Sequence, residues 1–528
     1  RCHALWHRSR RLDRLAVLAP DASSPQTLLR PRLPKRFTIP IWLQGMTMRV
    51  SALSGFRSFL LGVLLVIGMS PPASAQSVAE DPHVDAQIEL FSNWLEGQIE
   101  IRGLPGIVVG VVSGDDLIWS QGFGHADLAS ERLMETSTRF RMASHSKLLT
   151  ATAIMQLREQ GLLRLDDPVE EYLPWFSYQT ASADDPPVTI EHLLTHSSGL
   201  PREASSHWTD FDFPTADEVR ALMPDRVAPF SPEVRWKYSN LAYTIAGMVI
   251  EEVSGMSWAD YLQQNIFDPL GMSASSIDRP DPMMATGYGS RMPDGSRQVF
   301  PFVDARGMAA ATGLTSTVED MARFVSAQFR EGARGDDRLL STSSLREMHR
   351  VRMLETTWTR GQGIGFSVQR RDGTLYVGHG GGYPGYTTNT SIQLDSEVGV
   401  IVLTNTNDSN PAQIAQQLME TVGHAVADAT AEVPETVAWD PAWERFAGIY
   451  RSRGGETRVL VLNGRLVSMN PWASSIGEPT YLEPVGDGTF RMIAPTGGGA
   501  VGEIVRFVEE NGEVIRMVTG DSYSVRVR

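Results

Sequence analysis

Apolar and polar positions change rhythm several times along the chain. DAQIELFSNWLEGQIEIRG, Asp85 to Gly103, repeats at helical spacing and predicts an amphipathic helix. GIVVGVVSGDDLIWSQGFG, Gly106 to Gly124, is two apolar runs around Gly114-Asp115-Asp116, which predicts a hairpin. From Ser144 to about Gly161 the period is again helical, and residues 150–300 read as helical patches divided by Pro and Gly clusters. Strand-like runs return late, as IGFSVQR, LYVGH, YTTNTSIQL and VGVIVLTNT, followed by a helical NPAQIAQQLMETVGHAV, Asn410 to Val426. Strands at both ends with helices between them predict one antiparallel sheet closed by distant segments, with a helical insertion. Ala431 to Pro441 is acidic and aperiodic, as a linker would be. Beyond it FAGIYRS, RVLVLNGRLVSM, TFRMIAP, EIVRFVEENGEVIRMV and YSVRVR are short strands. Two pairs turn at Asn463-Gly464 and Asn511-Gly512, the type I′ hairpin signature, so this part predicts a small all-β barrel or sandwich.

The first 75 residues have another texture. Arg49 and Arg57 precede FLLGVLLVIGM, Phe59 to Met69, and Ala73-Ser74-Ala75 follows it. A basic region, a short apolar region and a small-residue site define a secretory signal peptide, here 46–75 with a start at Met46 or Met48. Eleven apolar residues fall short of the roughly 20 that span a bilayer. Residues 1–45, rich in Arg and Pro, read as a spurious upstream extension. A bacterial protein secreted or held in the periplasm, with no membrane anchor after cleavage, is the expectation.

Residues 1–75 hold 11 Lys+Arg and 2 Asp+Glu, so the remainder carries −24 where the whole chain carries −15. Such an acidic protein is a poor partner for nucleic acid or an anionic membrane face. At 42% hydrophobic and 21% charged over 528 residues, the composition is that of an ordinary globular chain of more than one domain. The single cysteine, Cys2, lies ahead of the signal, which leaves no disulfide, thiol nucleophile or thiolate metal site. With no H-E-x-x-H either, no metal and no cofactor are expected.

After residue 75 there are two lysines, Lys147 and Lys237, against 34 arginines. Lysine can lose its proton when desolvated and act as a base, which arginine cannot. Lys147 stands three residues after Ser144 in FRMASHSKLLTATAIMQL, and residues three apart share a helix face. A helix start also favours developing negative charge, so Ser144 and Lys147 pair a nucleophile with a base. Alone, S-x-x-K is as readily a capping serine and a surface lysine. Tyr238-Ser239-Asn240 is the second candidate: a tyrosine beside an ammonium can have its pKa lowered and share the proton, and the Asn240 amide can orient the base and a substrate carbonyl.

The third is GHGGGYPGY, residues 378–386, which fits three signatures. As the oxyanion loop of a lipase it needs a G-x-S-x-G elbow, and the chain has none. As G-x-G-x-x-G it needs a following helix, and TTNTSIQL is β-like. There remains His379-Gly380-Gly381 at the end of a strand, where consecutive glycines let a substrate lie against backbone.

S-x-x-K at 144, Y-x-N at 238 and H-G-G at 379, in this order and spacing, resemble the serine β-lactamase and penicillin-recognising superfamily. The branch is class C-like, with D-Ala-D-Ala carboxypeptidases, D-aminopeptidases and esterases. LRLDDPVEEYLP, VTIEHLLTHSSGLP, PLGM and ATGLTSTVEDMARF are similar to family segments, and the resemblance covers about residues 85–428. It implies an α/β (α+β) fold: an antiparallel sheet flanked by helices and an all-helical subdomain, with the active site between them. It places a hydrolase domain at 76–430, a linker at 431–442 and a lipocalin-like barrel at 443–528. It implies that Ser144 forms an acyl-enzyme, that Lys147 and Tyr238 share base and acid duty, and that Asn240 positions. Backbone N–H groups of Ser144 and Gly382 would form the oxyanion hole, His379 would count with them as the head of the third catalytic motif, and Gly380 and Gly381 would bind the substrate. Efficient β-lactamases of this branch carry K-T-G where this chain has H-G-G. Histidine, with a reference pKa of about 6.5, is mostly neutral at pH 7, so binding of a carboxylate-bearing drug should weaken. The expectation is a peptidase or esterase acting on small esters, amides or short D-amino-acid peptides. The alternatives are a β-lactamase and a non-turnover protein binding penicillin or peptidoglycan fragments.

Overall fold

The computed structural model describes Val78 and residues 81–329, 339–371, 373–431, 440–462, 465–470, 480–486, 488–493 and 500–527. The signal segment at 46–75, most of the linker and the Asn463-Gly464 turn lie outside the described residues.

Helix α1 (Pro82–Arg102) is capped by the Asp81 carboxylate and stopped by Gly103, whose φ of 60° is the left-handed turn that glycine takes freely. The chain then enters strands β1 (Gly106–Ser113) and β2 (Asp116–Asp127), with short β3 (Arg132–Leu133) and β4 (Phe140–Ala143) after them. Helix α2 (Ser146–Glu159) follows, two residues later than the helical period in the sequence begins. Beyond it come β5 (Ser276–Ile277), β6 (Leu314–Ser316), β7 (Met353–Leu354), β8 (Arg360–Gln362), β9 (Ser367–Arg371), β10 (Thr374–Tyr383), β11 (Tyr386–Gln393) and β12 (Val398–Thr404). Nine strands form one sheet in the order β3-β2-β1-β12-β11-β10-β9-β8-β7, and β4, β6 and β5 form a small second sheet. The pairing of β1 with β12, Ile107 opposite Thr404, is the predicted closure by distant segments.

The continuous apolar run of β1 follows from burial on both faces. Ile107, Val109 and Val111 pack with α1 residues Val84, Phe91 and Leu95 and with the helical segment Pro411–Thr430. Val108 and Val112 point the other way, into the large core shared with α2 and the helix Asn240–Ser254. The site lies on this second side.

Strands β13 (Gly448–Ser452), β14 (Gly455–Leu462), β15 (Arg465–Met469), β16 (Thr480–Gly486), β17 (Thr489–Ile493), β18 (Ile504–Glu510), β19 (Glu513–Thr519) and β20 (Ser522–Arg526) form a closed barrel in sequence order. Closure is antiparallel, Tyr450 opposite Arg526. Asn511 at φ 52° and Gly512 at φ 80° make the I′ turn the sequence announces. The barrel has its own core around Phe446, Tyr450, Phe490 and Phe507.

Candidate active site

Ser144 sits in the turn between β4 and α2. Ala143, just before it, has φ 50°, a sparsely populated value for a residue with a Cβ. The β4–β6 register also shifts between Arg141 and Ala143. The chain is thereby turned sharply, leaving Ser144 half-buried while His145, Ser146 and Lys147 are fully buried. Ser146 ties the turn down through Oγ, which donates to Ala143 O at 2.8 Å and accepts from Leu314 N at 2.9 Å.

Lys147 Nζ lies 3.2 Å from Ser144 Oγ and donates to Ala311 O at 2.8 Å. Tyr238 Oη donates to the same Ser144 Oγ at 2.8 Å. Segments 94 residues apart therefore converge on one hydroxyl. The Nζ also lies 5.0 Å from the centre of the Tyr238 ring, a cation–π distance when the amine is charged. Burial holds the Lys147 pKa well below the usual lysine range, with Glu203 opposing and Arg202 adding to that shift. Burial pushes the Tyr238 phenol up, against the opposing Ser144 hydrogen bond. This corrects the expectation that the neighbouring lysine lowers it: desolvation of the phenolate dominates.

Asn240 opens the helix Asn240–Ser254, whose cap is the Ser239 hydroxyl. Its Nδ2 donates to Glu203 Oε1 at 2.6 Å, so the amide is held by a carboxylate absent from the expected set. His379 is buried, its Nδ1 2.6 Å from Gly380 O, and packs edge-on to His145 at 6.1 Å between ring centroids. Burial, then the charges of Lys147 and His145, lower its pKa to about 3, so it is neutral at pH 7.

The stretch that fits three signatures is strand β10. Its pairing with β9 covers only Thr374 to Gly378, while β11 pairs it through Tyr383. From His379 onward one edge of β10 has no partner strand among the described residues and faces the site. Ser144, Tyr238, Asn240, His379, Gly380 and Gly382 line one cleft of about 610 Å³, with Arg202, Trp208, Trp236 and Thr312 completing the wall. Gly381 faces the other way: a Cβ there would lie 2.4 Å from Met142 O and 2.3 Å from Thr388 Oγ1. Its glycine is required by the packing of β10 on β4. At Gly382 a Cβ would meet nothing within 4 Å.

Sequence reasoning passed over Arg202, Glu203, Trp208 and Trp236. Arg202 and Glu203 follow directly on the family-like VTIEHLLTHSSGLP, and a charged pair after a turn-forming Gly-Leu-Pro was the available signal. The tryptophans carry none beyond their size. Among the described residues no group of three or more His, Cys, Asp or Glu is arranged to hold a metal ion.

A serine within hydrogen-bond reach of a buried lysine and a half-buried tyrosine, on the wall of a cleft bounded by a strand edge, is the geometry of a serine-hydrolase site. The Beta-lactamase family model matches residues 91–421, and the chain belongs to that family. Penicillin-binding protein 4* of Bacillus subtilis is 30% identical over 380 residues, covering 67% of this chain and 81% of that protein. Esterase EstB of Burkholderia gladioli is 35% identical over 184 residues, 32% of this chain and 46% of EstB. Among solved structures, the octameric penicillin-binding protein homologue from Pyrococcus abyssi superposes with a TM-score of 0.57 at 24% identity, over 83% of this chain and all of that one. That likeness is one of fold. The chain is a hydrolase of this family.

Proposed function

We propose that the protein is a secreted serine hydrolase that forms an acyl-enzyme on Ser144 and acts on small esters or amides, including D-amino-acid peptides, in preference to β-lactams. The observation that carries this is the placement of Lys147 Nζ and Tyr238 Oη at 3.2 and 2.8 Å from one hydroxyl oxygen. Lys147, with its pKa held down by burial, is the group able to take the Ser144 proton as the oxygen attacks. Tyr238, kept as a phenol, hands a proton to the leaving group and draws its own replacement from Lys147. The developing oxyanion is met by the backbone N–H groups of Ser144 and Gly382, and water then releases the acyl group. Esterase or amidase activity is favoured over β-lactamase activity because neutral His379 brings no cation to a substrate carboxylate at the β10 edge.

Labelling with a fluorescent fluorophosphonate, together with turnover of p-nitrophenyl esters and D-amino-acid amides, tests the reading. Ser144→Ala should abolish labelling and lower turnover by roughly 10³-fold or more. Labelling and ester turnover unchanged in that variant would overturn the assignment. Labelling by penicillin without release would favour a binding protein. Export predicts that protein secreted by a bacterial host begins at Gln76, as read by mass spectrometry of its N-terminal peptide.

A further inference from the structure

His196 is fully buried beside Tyr238 and holds the peptide groups on both sides of it. Its carbonyl oxygen accepts from Lys237 N at 2.8 Å, and its Nδ1 accepts from Ser239 N at 3.2 Å. Its ring packs on that of Tyr238 at 4.3 Å between centroids. One residue thus grips Tyr238 before it in the chain, after it, and on a ring face. The hydroxyl held in this way is the one 2.8 Å from Ser144 Oγ.

Two features of His196 are unfavourable in themselves. Its φ of 57° is left-handed, a sparsely populated region for a residue with a Cβ. A backbone N–H only donates, so Nδ1 must accept, and the neutral ring carries its proton on Nε2. Burial keeps the ring neutral. That Nε2 is buried and has no hydrogen-bond partner among the described residues. A phenylalanine here would stack on Tyr238 with no unpaired N–H of its own, but would leave Ser239 N–H without its acceptor. The acceptor at Nδ1 is what histidine adds. Strain and an unpaired polar group persist only where the surroundings enforce them, and both fall on the residue that brackets Tyr238.

We propose that His196 is a positioning residue: by holding both peptide neighbours of Tyr238 and stacking on its ring, it keeps the Tyr238 hydroxyl on Ser144 and so sets proton delivery to the leaving group. This rests on the acyl-enzyme reading, in which Tyr238 is the acid. His196 does not line the cleft and acts through Tyr238. A proton donor must lie within hydrogen-bond reach of the departing atom. A misplacement of about 1 Å there can cost on the order of 10²-fold in rate.

Two esters of butyric acid, run on the full chain, test this. The p-nitrophenolate of one leaves without a proton, whereas the ethoxide of the other needs one. Tyr238→Phe should lower kcat/KM for ethyl butyrate by about 10²-fold, and for the p-nitrophenyl ester far less. His196→Phe keeps a ring and removes the acceptor. It should lower kcat/KM for the ethyl ester by about 10-fold and leave the p-nitrophenyl ester within about twofold. His196→Asn keeps an acceptor for Ser239 N–H and tolerates the left-handed φ, so its loss on the ethyl ester should be smaller. It also serves if melting curves show that His196→Phe does not fold. Added to Tyr238→Phe, neither change should lower the rate further. An equal fall on both esters, a ratio untouched by both His196 variants, or a further 10-fold loss in the double variant would each overturn the proposal. Full activity of Tyr238→Phe on ethyl butyrate would instead sink the acid role of Tyr238 itself.

Discussion

At the residue scale, burial acts in opposite senses on the two partners of the Ser144 hydroxyl. Lys147 is fully buried, and losing water disfavours its charged form; the same loss disfavours the Tyr238 phenolate. Lysine thus yields its proton more readily than in water and tyrosine less so. Activity should rise with pH as Lys147 becomes neutral, with the acid limb of kcat/KM well below the ordinary lysine range. Lys147→Arg should lower kcat/KM by roughly 10³-fold at every pH, because a guanidinium keeps its proton; near-normal rates would remove Lys147 from the base role. Three buried histidines follow the same rule, and burial holds His196 well below the ordinary histidine range. Burial lowers His145 to about 4 and His379 to about 3, against an unfolded value of 6.5. Between those values the unfolded chain binds protons that the folded one refuses, so stability is lost as pH falls below about 6.5, by roughly 1.4 kcal/mol per pH unit for each histidine. Denaturant midpoints should drop between pH 7 and pH 5, and His379→Gln should flatten that drop by one histidine's share. A flat profile in the parent protein would contradict the buried neutral histidines. Ser144 and Lys147 were legible in the sequence because the base has almost no other lysine to be confused with. The shift of Tyr238 was not, since Y-S-N says nothing of how deep the ring lies.

At the scale of elements, β10 does two jobs on its two faces. A Cβ on Gly381 would collide with the backbone of β4 at Met142 O, whereas one on Gly382 would enter open cleft. Gly381→Ala should therefore cost roughly 1–3 kcal/mol of stability by overpacking and disturb the turn that carries Ser144. Gly382→Ala should leave the melting temperature in place and reduce turnover of the bulkier acyl esters. Equal melting temperatures for the two variants would show that β4 yields to the added methyl. The sequence places three glycines together but cannot say which faces solvent, because that depends on β4, more than 230 residues earlier. Local chemistry hid a barrel strand as well. Thr480–Gly486 contains Pro484, which removes a backbone donor and weakens the strand signal. The structure accommodates it with a register shift between Pro484 and Gly486.

At the scale of the whole molecule, the change in apolar rhythm after the linker marks a change of core. The sheet and helices share two hydrophobic clusters built on opposite faces of β1 and β12, and among the described residues the barrel's cluster draws on residues from Trp443 onward. Which strand neighbours which was readable in the barrel, whose strands pair in sequence order. In the nine-stranded sheet it was not, since β1 meets β12 across nearly 300 residues. Separate cores predict separable stabilities. Phe446 is fully buried, and its ring stacks on Phe507 at 4.7 Å between centroids. Phe446→Ala should remove about 3–5 kcal/mol from the barrel alone, a large part of what a domain of this size holds. The melting curve should then show an early transition that the parent protein lacks, while kcat/KM for a p-nitrophenyl ester stays within about twofold at 25 °C. Activity lost in step with that early transition would mean instead that the barrel helps to hold the cleft in its working shape.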